Sequence, residues 1–222
     1  LNAAHIVDAP IAHDADVRAL IGLLSDSAPS TFVARPKLYP LLVLKAVALS
    51  LEHGNIEESC SAYSGYSILA GGLFKDVALA FAVSEMSIRL NERFNDLKLK
   101  GRLLHIHGNF VHPRKKSIAS SLPILERGFM GCVEVGNLVY AAFCATMTVW
   151  ATLEKGAALD EVIGVARKYA AFARESHNEI MHSVIRLKEQ LAHSLKGTTS
   201  APGSFDSGDF SEAAFLEGIA RA

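Results

Sequence analysis

Short polar residues recur at one fixed spacing along this 222-residue chain. Each stands 41 positions after the one before, and all are Asp or Asn: Asp14, Asn55, Asp96, Asn137 and Asn178. Such side chains accept hydrogen bonds from the unpaired N–H groups at a helix start. Their fixed period therefore predicts helix N-caps in a stack of equal units, which constrains the fold more than any other feature.

The spacing of apolar residues inside a unit indicates helix. In "DVALAFAVSEMSIRLNERF" (76–94), Val77, Phe81 and Ile88 recur at intervals of four and seven, which places them on one helix face. Strict alternation of apolar and polar residues is absent over any useful length. We therefore predict an all-α fold, a right-handed α-α superhelix resembling a tetratricopeptide (TPR) solenoid, with about five helix pairs and a period of about 41 residues.

We predict one helical repeat domain over residues 1–222. Its five helix pairs are expected at about 14–53, 55–95, 96–136, 137–177 and 178–221. Turns inside the pairs are expected near 29–36, 71–72, 112–115 and 155–157. The Ser/Gly/Pro-rich stretch 196–209 predicts a loop within the last pair. Pro123, inside a predicted helix, should kink it or lie in its first turn.

Composition and charge argue against nucleic-acid and membrane partners. Half the residues are hydrophobic, yet the most apolar stretch (38–51) carries Pro40 and Lys45 and is too short for a hydrocarbon core of roughly 30 Å. The net charge is −1, and the basic cluster "HPRKK" (112–116) falls at a predicted turn, where we expect it to be solvated.

The cysteines and the first residue suggest the cellular setting. The three cysteines are odd in number and form no CxxC pair, which favours a reduced, cytoplasmic protein over a disulfide scaffold. The chain begins at Leu1 with no signal-peptide pattern. We expect it to be a piece of a longer protein.

Several segments resemble one region of known proteins. They are "VLKAVALSLEHGNIEESCSAYSGYSIL", "SIRLNERFNDLKLKGRLLHIHGNFVHP", "SLPILERGFMGCVEVGNLVYAAF" and "SFDSGDFSEAAFL", in this order along nearly the whole chain. They are similar to the TPR-like helical region of large, mainly bacterial signalling proteins. In those proteins a Ser/Thr-kinase-like domain and an AAA-type ATPase come first, and GAF and histidine-kinase or other output domains follow. The resemblance implies a helical linker region and brings no kinase or ATPase residues with it.

Catalytic patterns are weak in this sequence. It contains neither a phosphate-binding loop nor a GxGxxG or GxSxG motif. In "HIHGNFVH" (105–112), α-helical geometry separates His105 from His107 by about 200° and puts His105 and His112 on one face, two turns apart. "EIMH" (179–182) has the Glu-x-x-His spacing of a carboxylate metal site, but in a single copy. We expect no catalytic residue, cofactor or metal site, although a metalloenzyme around Glu179 and His182 stays open.

Two polar columns predict where a partner would bind. Eleven residues after the periodic positions stand Tyr66, His107, Thr148 and Glu189; four residues after them stand Ser59, Lys100 and His182. By analogy with TPR arrays, these positions lie on the first helix of each pair and face a concave groove. The alternative is that they are half-exposed polar residues without a specific partner.

Three functions follow as hypotheses. The first is a non-catalytic scaffold that relays signals between the kinase-like or ATPase domain and the sensor or output domains, binding those domains or a peptide. The second is a small-molecule sensor whose inducer regulates an adjacent ATPase, with a deep pocket lined by Tyr66, His107 and Thr148. The third is the metalloenzyme. Whether the chain forms a homodimer stays open.

Overall fold

The computed structural model describes residues 3–221, with side chains from 5 to 218. This part of the chain is 77% helical and contains no strand. The predicted all-α class is therefore confirmed. The α-helices are α1 Ala3–Val7, α2 Ala15–Ala34, α3 Tyr39–His53, α4 Ser59–Gly72, α5 Val77–Phe94, α6 Leu97–Ile106, α7 Leu122–Glu134, α8 Leu138–Glu154, α9 Leu159–Glu175, α10 Glu179–Lys196 and α11 Glu212–Arg221.

The helices follow one another in pairs. Helices α2–α3, α4–α5, α6–α7, α8–α9 and α10–α11 lie within the five spans that the period marks out, and α1 precedes them and packs on α5. A π-helical segment, His107–Val111, continues α6, and two short 3-10 turns lead into α7. No helix in the described part of the chain is long and apolar enough to cross a bilayer.

Four of the five periodic residues are helix N-caps, as predicted. The side chains of Asp14, Asp96, Asn137 and Asn178 each accept a hydrogen bond from a backbone N–H in the first turn of α2, α6, α8 and α10. The best of these bonds measure 2.9, 2.7, 3.3 and 3.1 Å in that order. Each cap contributes about 1 kcal/mol and fixes where its helix begins.

Asn55 has a different role, and its prediction as an N-cap is wrong. It is fully buried and lies four residues before α4, whose own N-cap position is Glu58. Its Nδ2 donates to the carbonyl of Ile6 at 2.8 Å, and its Oδ1 accepts from the hydroxyl of Tyr63 at 3.0 Å. Asn55 therefore ties the N-terminal segment to α4, because its amide bonds to one residue of each.

The turns differ from the predictions in two places. Helix α2 continues past Pro29 and ends at Ala34, and α4 continues through Gly72, so both helices are longer than the proline and glycine signals indicate. Pro123 lies in the first turn of α7, which is one of the two arrangements predicted for it. Residues 197–211 connect α10 to α11 without a helix, in agreement with the predicted loop.

Packing follows chain order in two ways. Each helix from α2 to α9 packs against the next one, and the first helices of adjacent pairs also touch: α2 with α4, α4 with α6, α6 with α8, and α8 with α10. Two large apolar clusters result, one from α1 to α6 and one from α7 to α10. Burying one large apolar side chain contributes roughly 1.5–3 kcal/mol, so these clusters outweigh the caps.

Candidate functional site

The seven residues predicted to face a groove belong to the first helices of their pairs. Ser59 and Tyr66 lie on α4, Lys100 on α6, Thr148 on α8, and His182 and Glu189 on α10. His107 directly follows the last residue of α6. The structure does not bring the seven together into one site.

Besides Glu189, three of the seven residues are buried and hydrogen-bonded to other groups of the protein. The hydroxyl of Ser59 lies 2.8 Å from that of Ser50, and Thr148 Oγ1 donates to the carbonyl of Cys144 at 2.9 Å. His107 is 5% exposed, and its Nδ1 lies 2.9 Å from Ser84 Oγ. These bonds hold neighbouring helices or turns in place.

Glu189 is 1% exposed and forms ion pairs with two arginines. Its carboxylate accepts from Arg167 Nε at 2.8 Å and from Arg186 Nη1 at 2.6 Å. Arg186 also donates to Asp209 Oδ2 at 2.9 Å. The Glu189 carboxylate therefore orients Arg186, whose bond to Asp209 holds the 197–211 connection against α10.

A groove lies along several of the first helices. It has a volume of about 510 Å³ and is lined by residues of α2, α4, α6 and α8, with Tyr39 at the start of α3 and two residues of the π-helical segment. None of the seven predicted residues is among its lining. We call this cleft the first-helix groove.

Aromatic rings form the walls of the first-helix groove. Phe32 lies 5.0 Å from Tyr39 and 6.2 Å from Phe110, centroid to centroid. On the opposite side, Tyr140 and Phe143 lie 5.5 Å apart. All three pairs meet edge to face, the arrangement that aromatic quadrupoles favour. The walls are therefore apolar and packed.

Three polar atoms at this groove have no hydrogen-bond partner. They are Ser61 Oγ, Arg102 Nε and His105 Nδ1. An unpaired buried polar atom costs about 1–3 kcal/mol and calls for an explanation, such as a ligand or an ordered water. The guanidinium carbon of Arg102 also lies 5.4 Å from the ring centroid of Tyr140, in a cation–π contact.

Burial sets the protonation states of the groove. It lowers the pKa of His105 to about 4, so the imidazole is neutral at pH 7. It raises the pKa of Tyr39 to about 12 and also raises that of Tyr140, while the nearby Arg102 opposes both shifts. Among the described side chains that line the groove, Arg102 is the one charged residue.

The lining of this groove also follows the 41-residue period, but at other positions than the two predicted columns. Ser61, Arg102 and Phe143 each stand six residues after a periodic position, and Gly65, Ile106 and Met147 stand ten residues after. Positions six and ten share a helix face, and position ten differs from position eleven by about 100°. The TPR analogy selected the neighbouring face, which on α4, α8 and α10 is largely buried.

A second cavity, of about 720 Å³, lies among α5, α6 and α7. Lys100 and His107 are both among its lining residues. Its charged residues have both signs: Lys100, Arg89 and Arg127 against Glu85, Glu92, Glu126 and Glu134. Mixed charge of this kind points to no single class of ligand.

The π-helical segment changes which histidines meet. The ring centroids of His107 and His112 lie 5.3 Å apart, a contact that the α-helical geometry expected over 105–112 does not give. Burial lowers the pKa of His107 to about 4 and lowers that of His112 as well. In the described residues, no group of three or more His, Cys, Asp or Glu side chains is placed to hold a metal ion.

Comparison with known proteins assigns the chain to no family. No protein-family model matches the chain, and no curated protein is significantly similar to it. The fold and groove therefore define only a class: an all-α protein of packed helix pairs, with an apolar cleft on its first helices.

Proposed function

We propose that the helix pairs form a right-handed, TPR-like superhelix of five units with a period of about 41 residues. The helix pairs within the five spans and the four periodic N-caps support this arrangement. The contacts between first helices of adjacent pairs support it as well. In such an array each unit touches mainly its neighbours, so a change at one interface alters the curvature of the whole.

The function proposed on this basis is a non-catalytic, cytoplasmic helical-repeat module. It relays signals between the kinase-like or ATPase domains and the sensor or output domains of a multidomain signalling protein. The observation that carries the proposal is that one groove spans four first helices. An occupant of that groove touches three successive interfaces between units, and can bias their spacing if it binds one curvature better than another.

A binding titration tests the proposal. Isolated kinase-like, ATPase-type and GAF domains from a protein of the resembled class are titrated into the chain by calorimetry. We expect at least one domain to bind, and Val139→Asp to weaken that binding at least tenfold. Val139 lines the groove, is 55% exposed and is the second residue of α8, where an acidic side chain favours the helix.

The matched control is Leu138→Asp. Leu138 is the first residue of α8 and is 40% exposed, but it is not among the lining residues of the groove. Binding that survives Leu138→Asp and is lost in Val139→Asp supports the relay module. Absence of binding by every domain, or equal losses in both variants, contradicts it.

A second candidate function is a small-molecule sensor. The observation in its favour is a cleft of about 510 Å³ that combines apolar walls with a few convergent polar atoms, the usual composition of ligand sites. The predicted column of Tyr66, His107 and Thr148 does not supply these atoms. A thermal-shift screen distinguishes the candidates, since the sensor is stabilised by a small molecule alone and the scaffold only by a protein domain.

A further inference from the structure

We propose that the first-helix groove binds a small, flat, mostly apolar molecule that carries one carboxylate, with the carboxylate on Arg102. The inference rests on the second candidate function, the small-molecule sensor, and names the chemistry of its ligand. It follows from a cation without a counter-charge, from two neutral polar groups without a hydrogen-bond partner and from the aromatic walls.

The cation at the groove lacks a counter-charge. Arg102 takes part in none of the ion pairs formed by the described side chains, and its Nε has no hydrogen-bond partner. The other lining residues carry no charge to balance it. Arg102 is half-buried, and its partners at the groove are the hydroxyl and the ring of Tyr140, which carry no charge. The planar donors of a guanidinium match a carboxylate. The missing anion is therefore expected from outside the chain.

The neutral polar groups suit the same ligand. Ser61 and His105 are each 5% exposed, line the groove, and leave Oγ and Nδ1 without a partner. A hydroxyl can donate to a carboxylate oxygen, and a neutral imidazole can donate through one ring nitrogen. These groups orient a carboxylate without adding charge to the site. Together with the charge of Arg102, they favour a carboxylate ligand over an uncharged molecule of the same shape.

The walls and the volume define the rest of the molecule. The rings of Phe32, Tyr39, Phe110, Tyr140 and Phe143 offer faces and edges against which a flat ring system can pack. A volume of about 510 Å³ lies within the range of small-molecule pockets. One cation is too few for a nucleotide with several phosphate charges, and it repels an ammonium ligand.

Matched probes test the ligand chemistry on the full chain. Calorimetry compares 2-naphthoate with 2-naphthamide, which has the same rings and no charge. We expect the carboxylate to bind at least tenfold more tightly than the amide. Arg102→Gln should remove this preference and leave the weak binding of the amide unchanged. Lys98→Gln, the same loss of charge at an exposed position of the same helix, should alter neither affinity.

The outcomes distinguish a failure of the carboxylate inference from a failure of the small-molecule sensor. If both probes bind equally to the wild type and to Arg102→Gln, the carboxylate inference is overturned while the small-molecule sensor stands. If neither probe binds to a wild-type chain with an intact thermal transition, both are overturned. Loss of the carboxylate preference in Lys98→Gln as well overturns the assignment to Arg102. Circular dichroism of each variant verifies that it is folded.

Discussion

The imidazole rings of His107 and His112 lie 5.3 Å apart although the two residues stand five positions apart in the sequence. The backbone between them explains this approach, because His107–Val111 is π-helical and the N–H of His112 donates to the carbonyl of His107. A π-turn places residues i and i+5 on one face, where an α-helix would turn the second residue away. The local helix type thus decides which histidines meet.

The hydrogen bond between Ser84 and His107 should stabilise the π-helical segment. Both residues are buried, and Ser84 Oγ lies 2.9 Å from His107 Nδ1. We expect Ser84→Ala to lower the free energy of unfolding by about 1–2 kcal/mol, since it leaves a buried imidazole nitrogen unpaired. Urea denaturation measures the change. Ser120→Ala removes the exposed bond to His112 and should cost less than about 0.5 kcal/mol.

Burial of His105 should make the fold sensitive to mild acid. Its pKa is lowered from 6.5 to about 4 in the folded chain, so the unfolded chain takes up a proton first as the pH falls. The stability of the fold is therefore complete above pH 6.5 and is lost progressively between pH 6.5 and 4. We expect about 2 kcal/mol of loss between pH 7 and 5 from this residue.

His105→Gln provides the comparison for that measurement. Thermal and urea unfolding at pH 7 and pH 5 should show a smaller acid-induced loss in the variant than in the wild type. A variant with the same pH dependence as the wild type would show that His105 is protonated at its ordinary pKa in the folded chain.

Gly101 allows α6 and α7 to approach closely. A Cβ at this position would lie 2.8 Å from the backbone nitrogen of Cys132 and 2.8 Å from the carbonyl oxygen of Gly128. Gly101→Ala should therefore destabilise the fold by about 3 kcal/mol, because backbone atoms must shift. The control is Gly164→Ala on α9, where nothing lies within 4 Å, and which should stabilise by about 1 kcal/mol. Equal effects of the two variants on the urea midpoint would refute the close contact.

Asn55 should matter more than the periodic residues that act as caps. Asn55→Ala leaves the buried Tyr63 hydroxyl without an acceptor and removes one of the two hydrogen bonds to the Ile6 carbonyl, so we expect a loss of about 2–4 kcal/mol. Asn137→Ala removes one cap bond and should cost about 1 kcal/mol. Denaturant unfolding of the pair tests this order, and a smaller cost at position 55 would contradict the structure.

These residues also show which structural features the sequence can predict and which it cannot. The caps at Asp96 and Asn137 were predictable because a cap depends on the next three residues. Asn55 was not, since its partner Ile6 lies 49 positions away and no local pattern reports that bond. The two polar columns do not line the first-helix groove, because an error of one residue in a register taken from another family rotates a side chain by about 100° around the helix axis. The π-helical turn at His107 was not predictable either, because the spacing of apolar residues does not reveal one extra residue in a helical turn.

A distance measurement tests most directly whether occupation of the groove changes the array. Spin labels at Lys45 on α3 and Arg174 on α9 sit at exposed positions of two second helices, and the three native cysteines are buried. Pulsed electron spin resonance then gives the distance between the labels with and without the domain or ligand that binds the groove. The account predicts a shifted distance in the wild type and none in Val139→Asp. A bound wild type whose distance stays the same would contradict a relay through curvature.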